Sequence, residues 1–204
     1  ILAQGTARYV GEPLSVVFAD DPYRAEDAAE LVFAELDELP PVVRSTVAPS
    51  EFAPGHSTEP AIVIKSYGDL DAAFAAAAQV LEFDFTVGRH SAAPLETRGA
   101  IAFANPANGV LEIHGASKIP HINRRAIAAM LGLAEDRIHL YEGHVGGGFG
   151  VRGELYPEDV LVALAALQLG RPIKWIEDRR EHLIAANHSR DHTNHLRVAI
   201  DDFG

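Results

Sequence analysis

The sequence predicts a mixed α+β fold, and three patterns carry that reading. Residues 80–87 alternate, with Val80, Glu82, Asp84 and Thr86 set against Leu81, Phe83, Phe85 and Val87, the period of a half-buried strand. Residues 155–169 are apolar almost all round and are followed by Gly170, which fits a helix enclosed within a large protein. Between them lie short apolar runs separated by Gly, Pro and Asn turns, with no internal repeat and no low-complexity tract.

The elements follow in order. Arg8-Tyr9-Val10 reads as a first strand that runs into a Gly11-Glu12-Pro13 turn, and residues 14–19 read as a short apolar strand. Asp20-Asp21-Pro22 offers an acidic cap and a proline for the first helical position. Ala25, Ala28, Ala29 and Val32 then recur at helical spacing, and residues 32–36 turn to strand before Pro40-Pro41. Residues 44–60 are rich in Ser, Thr, Pro, Ala and Gly, a linker composition. A strand at 61–65 precedes a small helix at 69–77, which puts Leu70, Ala73, Phe74 and Ala77 on one face. Strands at 100–103 and 110–114 flank an Asn105-Pro106-Ala107-Asn108-Gly109 turn. A helix at 119–131 stops at Gly132, and a strand follows at 137–141. After the 155–169 helix, strands are expected at 173–176 and 195–200.

Composition narrows the function classes. The 204 residues are 48% hydrophobic and 23% charged, which excludes chain-long disorder and supplies enough apolar surface for a core. Seventeen Lys and Arg against 29 Asp and Glu give a net charge of −12. That balance argues against nucleic acid, whose phosphates need clustered cations. The absence of cysteine removes disulfides, thiolate metal sites, cysteine-ligated iron–sulfur clusters and cysteine nucleophiles. It fits a reducing compartment, and a cytoplasmic location is expected. No run approaches the roughly 18–20 apolar residues of a membrane span, and no signal peptide is visible. The chain opens at Ile1 and closes at Asp201-Asp202-Phe203-Gly204, which reads as a turn in mid-flow. Both ends are expected to be cuts through a longer polypeptide.

Chemistry concentrates in Gly143-His144-Val145-Gly146-Gly147-Gly148-Phe149-Gly150, between the 137–141 strand and the helix that begins near 155. Five glycines in eight residues let a backbone approach a ligand and adopt positive φ. Exposed amides at such a turn can hold an anion or an oxo group; the loop can equally serve as a tight turn that packs a helix on a sheet. Nucleotide motifs do not fit. The loop lacks the Gly-Lys-Ser or Gly-Lys-Thr of a phosphate loop, and a dinucleotide fingerprint begun at Gly146 would need glycine where Val151 stands.

The loop, Arg152 and Tyr156-Pro157-Glu158-Asp159 resemble the molybdenum-binding large subunit of the xanthine dehydrogenase, aldehyde oxidase and carbon monoxide dehydrogenase family. Other segments match in order: Tyr9-Val10-Gly11-Glu12-Pro13, Ala25-Glu26-Asp27-Ala28-Ala29, Pro94-Leu95-Glu96-Thr97-Arg98-Gly99, Gly170-Arg171-Pro172-Ile173-Lys174-Trp175 and Glu177-Asp178-Arg179-Arg180-Glu181. The resemblance covers nearly the whole chain. It implies a molybdopterin-dependent oxidoreductase that hydroxylates an aldehyde, an N-heterocycle or carbon monoxide with water-derived oxygen. Electrons leave through iron–sulfur and flavin subunits or domains. Residues 1–45 resemble the end of the family's α/β hammerhead domain, and residues 46–204 the first part of its molybdenum cofactor-binding domain.

The same resemblance implies the site. Phe149 matches the phenylalanine whose backbone amide faces the apical oxygen of molybdenum, and Gly147, Gly148 and Gly150 let that backbone fit. Ala116-Ser117-Lys118-Ile119-Pro120 matches a Ser-Thr-Gln-x-Pro stretch, so Lys118 holds the position of a glutamine that hydrogen-bonds near the metal. A lysine can donate to an oxo group but cannot accept. Where xanthine-oxidising members carry a glutamate this chain has Gly153, with Glu154 one position off. The Tyr-Pro-Glu-Asp continuation is similar to the carbon monoxide dehydrogenase-like branch, although the cysteine-bearing loop of true carbon monoxide oxidisers is absent. The family's general base and most pterin contacts come from the remainder of the large subunit. The isolated chain is therefore expected to be inactive, to carry no catalytic base or metal ligand and to hold no cofactor.

Other readings stand beside this one. The chain could serve as a non-catalytic assembly piece or as an anion-binding module built on residues 143–150. His188, His192 and His195 are spaced i, i+4, i+7, which on a helix would suit zinc; the strand pattern after Thr193 separates His192 from His195 instead. Asp178-Arg179-Arg180-Glu181 reads as a solvated run with i,i+3 pairing at a helix start, with anchorage of an anionic substrate by Arg179 as the alternative. Ser91 and Ser117 show no hydrolase arrangement, and Glu12 and Glu96 are expected to be structural, bonded to nearby amides.

Overall fold

The computed structural model describes residues 1–44, 47–58 and 62–203. In chain order the helices are α1 (Pro22–Glu30), α2 (Leu70–Ala75), α3 (Pro120–Leu131), α4 (Pro157–Leu169) and α5 (Arg179–Ala185). The strands are β1 (Glu51–Ala53), β2 (His56–Ser57), β3 (Gln79–Val87), β4 (Gly99–Ala104), β5 (Leu111–Gly115), β6 (Ile138–Tyr141), β7 (Ile173–Ile176) and β8 (His192–Ile200). They fall into two compact units, residues 1–32 with 87–192 and residues 33–86 with 193–204.

The first unit is built on a four-stranded sheet of order β6-β5-β4-β7. β4 and β5 form a hairpin because Asn105 closes the turn twice. Its backbone amide donates to the Val110 carbonyl at 2.8 Å, and its side-chain oxygen accepts from the Ala107 amide at 2.9 Å. β5 and β6 are parallel, so a crossover must link them; α3 supplies it and stops at Gly132, whose φ of 66° is left-handed. Alternate residues of β4 and β5, namely Ala100, Ala102, Leu111 and Ile113, point into the core with Ile138. They meet Ile127 and Ala128 of α3 and Val160, Val162, Ala163 and Ala166 of α4. Alanines at the contact let helix and sheet approach closely. α4 begins at Pro157 and stops at Gly170, with φ of 61°, as its apolar sequence predicts.

The second unit holds the β1–β2 hairpin, α2 and the β3–β8 pair. Asp69 caps α2 by accepting from the Ala72 amide at 3.0 Å. On β3 and β8, the Asp84 carboxylate meets His195 Nδ1 at 2.7 Å, and Arg197 donates to Glu82 at 2.7 Å while lying 4.8 Å from the centre of the Phe74 ring. The apolar side of β3 is not covered: Phe83 and Phe85 are each 48% exposed.

Four expected strands do not form. Residues 8–10, 14–19, 32–36 and 62–65 run without a sheet ladder, because apolar pattern supplies a face but not a neighbouring edge. Residue 61 of the last lies outside the described residues.

Candidate functional site

The glycine loop leaves β6 and ends in a single 3₁₀ turn, Val151–Gly153. The turn is closed by the Val151 amide on the Gly148 carbonyl and the Gly153 amide on the Gly150 carbonyl, each at 3.0 Å. Phe149 has φ of 47°, the one left-handed non-glycine residue among those described. A left-handed backbone costs an L-residue roughly 1–2 kcal/mol. Its neighbours absorb the rest of the bend, Gly147 at φ 107° and Gly150 at φ 100°. Space matters as much as φ. A Cβ on Gly146 would lie 2.5 Å from Glu96 Cβ, and one on Gly147 would lie 2.9 Å from the Phe149 ring and 3.0 Å from Pro94 Cβ.

This geometry frees the loop's donors. The Gly146 amide is taken by Glu96 Oε2 at 2.8 Å, as expected of a structural Glu96. The amides of Gly147, Gly148, Phe149 and Gly150 have no acceptor among the described residues. N–H groups without an internal partner are the kind of donor that can receive an anion. The Phe149 side chain beside them is 79% exposed.

Arg152 holds the loop from behind. Its side chain is 4% exposed. Nε donates to the Gly147 carbonyl at 2.7 Å, and Nη2 reaches Glu96 O and Oε2 at 2.9 Å and Thr97 O at 3.1 Å. Lys118 is brought to the same place, because its amide donates to the Arg152 carbonyl at 3.0 Å. Its stem passes 3.8 Å from where a Cβ on Gly153 would stand, and the residue is exposed. The predicted residues Gly147, Gly148, Phe149, Gly150 and Lys118 thus lie around one turn.

The wall facing the loop is the irregular stretch 90–98, held largely by His and Arg side chains acting on carbonyls. His182 Nε2 meets Ala92 O at 2.9 Å; Arg179 donates to Pro94 O at 2.6 Å and Leu95 O at 3.0 Å; Arg152 takes the next two. Arg179 Nη2 is thus spent on these two carbonyls, while its buried Nη1 has no partner among the described residues. Beneath lies a buried ion cluster. Arg98 donates to Glu177 Oε1 from Nη2 at 2.6 Å and from Nε at 3.0 Å, and to Glu158 at 3.2 Å. Its guanidinium carbon sits 3.6 Å from the centre of the Tyr156 ring.

Burial works to raise the Glu177 carboxyl, but hydrogen bonds from Arg98 and His182 outweigh it and hold the group below the usual carboxylate range. His182 is fully buried, with Nδ1 2.8 Å from Glu177 Oε2 and Nε2 on a carbonyl. Burial pushes Asp159 in the opposite sense, up to about 6, although it accepts from the Tyr156 amide at 3.3 Å.

A cleft of about 660 Å³ adjoins the start of the loop and the outer face of the sheet; Thr97, Ile101, His114, Tyr141, His144 and Trp175 contribute to its lining. His114 and Tyr141 stack there at 4.6 Å.

Sequence reasoning missed the ion cluster. Glu177 and His182 flank what reads as a solvated charge run, yet Glu177 is 2% exposed. Only Asp178 and Glu181 behave as helix-start residues, each accepting the other's amide. Of the histidines, His188 bonds the Leu183 carbonyl and His195 bonds Asp84. No three potential metal ligands gather among the described residues, and no helix there is long and apolar enough to cross a membrane.

Residues 55–204 match the molybdopterin cofactor-binding domain family. Over its whole length the chain is 42% identical to the gamma subunit of the 6-hydroxypseudooxynicotine dehydrogenase complex of Paenarthrobacter nicotinovorans, covering 26% of that subunit. It is 31% identical to the carbon monoxide dehydrogenase large chain of Hydrogenophaga pseudoflava, over 94% of this chain and 26% of that one. The crystal structure of quinoline 2-oxidoreductase from Pseudomonas putida 86 superposes with a TM-score of 0.83 at 35% identity, over 98% of this chain and 26% of that one. The chain spans about a quarter of the length of these relatives.

Proposed function

The chain belongs to the molybdopterin cofactor-binding domain family, and from that premise we propose that it is the loop-bearing part of a molybdenum hydroxylase large subunit acting on a nitrogen heteroaromatic substrate. Residues 1–45 belong to the end of a hammerhead-like domain in this reading, and residues 46–204 to the first part of the cofactor-binding domain. The net reaction is RH + H₂O → ROH + 2 e⁻ + 2 H⁺, with the electrons passing to iron–sulfur and flavin partners. The heteroaromatic class is preferred to carbon monoxide because the quinoline enzyme and the 6-hydroxypseudooxynicotine dehydrogenase relative are matched at higher identity than the carbon monoxide enzyme.

The carrying observation is the row of unpartnered amides from Gly147 to Gly150. When bound, the cofactor supplies the metal centre at which water-derived oxygen passes to carbon and electrons are collected. The chain's own contribution is binding and orientation. Preorganised amides donate to an anionic oxygen without reorganising when charge develops. The glycines keep side chains out of the approach, and the Lys118 ammonium adds a donor from the adjoining turn. In this reading the general base comes from the remainder of the large subunit, and turnover is a property of the assembled enzyme. A cytoplasmic site of action belongs to the same reading.

The test uses the full-length large subunit with its partners. Molybdenum analysis and dye reduction with a quinoline-type substrate should show stoichiometric metal and turnover. Phe149→Asp, which sets a carboxylate beside an anionic centre, should lower both by at least fivefold. Wild-type metal content and rate in that variant would refute the assignment.

A further inference from the structure

We propose that Arg152 is a positioning residue that sets and polarises the amide row, an inference that rests on the cofactor-facing role given to residues 147–150. Three observations carry it. First, the cation is almost fully buried, and its bonds run to two separate segments, Gly147 of the loop and Glu96 and Thr97 of the opposite wall. One side chain thereby fixes the spacing between them.

Second, Nε donates to the carbonyl of Gly147 at 2.7 Å. That carbonyl belongs to the same peptide unit as the Gly148 N–H, one of the four unpartnered donors. A charge-assisted bond to the oxygen holds the peptide plane and strengthens the N–H at its other end as a donor. Arg152 therefore acts on a bound oxygen through the peptide, without touching it.

Third, the partners that balance the charge are fixed as well. Glu96 Oε2 accepts from Arg152 and from the Gly146 amide at once, at 2.9 and 2.8 Å. Two peptide units of the loop are thus held at opposite ends, the 145–146 unit by its N–H and the 147–148 unit by its C=O, with the 146–147 unit between them. A lysine in place of Arg152 would keep the charge but not the planar fork that serves both walls together.

The experiment compares Arg152→Met and Arg152→Lys with wild type in the full-length enzyme. The readouts are metal content, melting temperature, the metal's electron paramagnetic resonance signal, and kcat and KM. Arg152→Met should lose at least fivefold in molybdenum. The fraction that keeps metal should show a shifted resonance signal and a lower kcat at unchanged KM. Arg152→Lys should restore metal content to within about twofold while the signal stays shifted.

A wild-type signal in the metal-bearing fraction of Arg152→Met, whether or not stability falls, overturns the proposal by leaving Arg152 only a structural role. If Arg152→Met does not fold, Arg152→Lys decides alone: a shifted signal supports the proposal and an unshifted one overturns it. Phe149→Asp separates the two levels. Unchanged metal in that variant defeats the loop reading itself, whereas loss of metal there with a wild-type signal in the Arg152 variants defeats only the inference.

Discussion

The unit built on the four-stranded sheet and the unit built on β3 and β8 use the same kinds of residue to different effect. In the first, alternate strand residues vanish from solvent; Ala102 and Ile138 are both 0% exposed beneath α3 and α4. In the second, an equally regular alternation leaves Phe83 and Phe85 about half exposed, and the pairs that cross the strands, Asp84–His195 and Glu82–Arg197, are in solvent. Periodicity specifies which side of a strand is apolar. Only a second layer turns that side into a core, and the energetic weight of an apolar or charged group follows the layer rather than the pattern.

That contrast can be broken at graded cost. The largest effect is expected at the ion cluster of the sheet unit. Glu177→Ala strands Arg98 and His182 without their shared acceptor, a loss of about 3–5 kcal/mol for a buried pair, read by denaturant unfolding; a loss below 1 kcal/mol would show the cluster to be solvated. Next comes a matched pair of truncations. Ile138→Ala should cost about 2–5 kcal/mol as a core deletion, whereas Phe83→Ala should cost less than half as much. Equal losses would erase the distinction between the units.

A pH effect follows from Asp159. Its folded pKa, about 6, lies above its usual value of 3.8. The stability it confers is therefore complete below about pH 4 and is lost as pH rises through 6. Asp159→Asn keeps an oxygen for the Tyr156 amide and should melt like wild type at pH 3.5 but higher at pH 7, by an amount on the order of 2 kcal/mol. A constant offset across that range would count against a raised carboxyl. The smallest effect is expected at Arg197→Ala, within about 0.5 kcal/mol for an exposed pair and smaller still in 1 M salt.

Much of the fold was legible because its signals are local. Proline and glycine bracket α4, Asp21 caps its helix as expected, and the Asn105–Gly109 turn sits between its strands. The loop was legible for the same reason, since glycine density marks where a backbone bends and comes close. What stayed hidden depends on distant partners. Arg152 finds Glu96 at a separation of 56 residues, and His182 finds Ala92 at 90. A carbonyl acceptor leaves no trace in the identity of the residue that owns it. The run at 178–181 is the helix start its sequence suggests, but nothing marks Glu177 and His182 beside it as buried, because caps and a buried acid share one composition; residues 14–19 were misread because an apolar run cannot name a pairing edge.

The stretch 90–98 has a bearing on how such a protein can diverge. His182, Arg179 and Arg152 grip it by the oxygens of Ala92, Pro94, Leu95, Glu96 and Thr97, and every amino acid owns such an oxygen. Leu95 at its crest is 96% exposed. Drift can therefore rewrite that crest without loosening the path of the chain, provided three remote basic positions stay put.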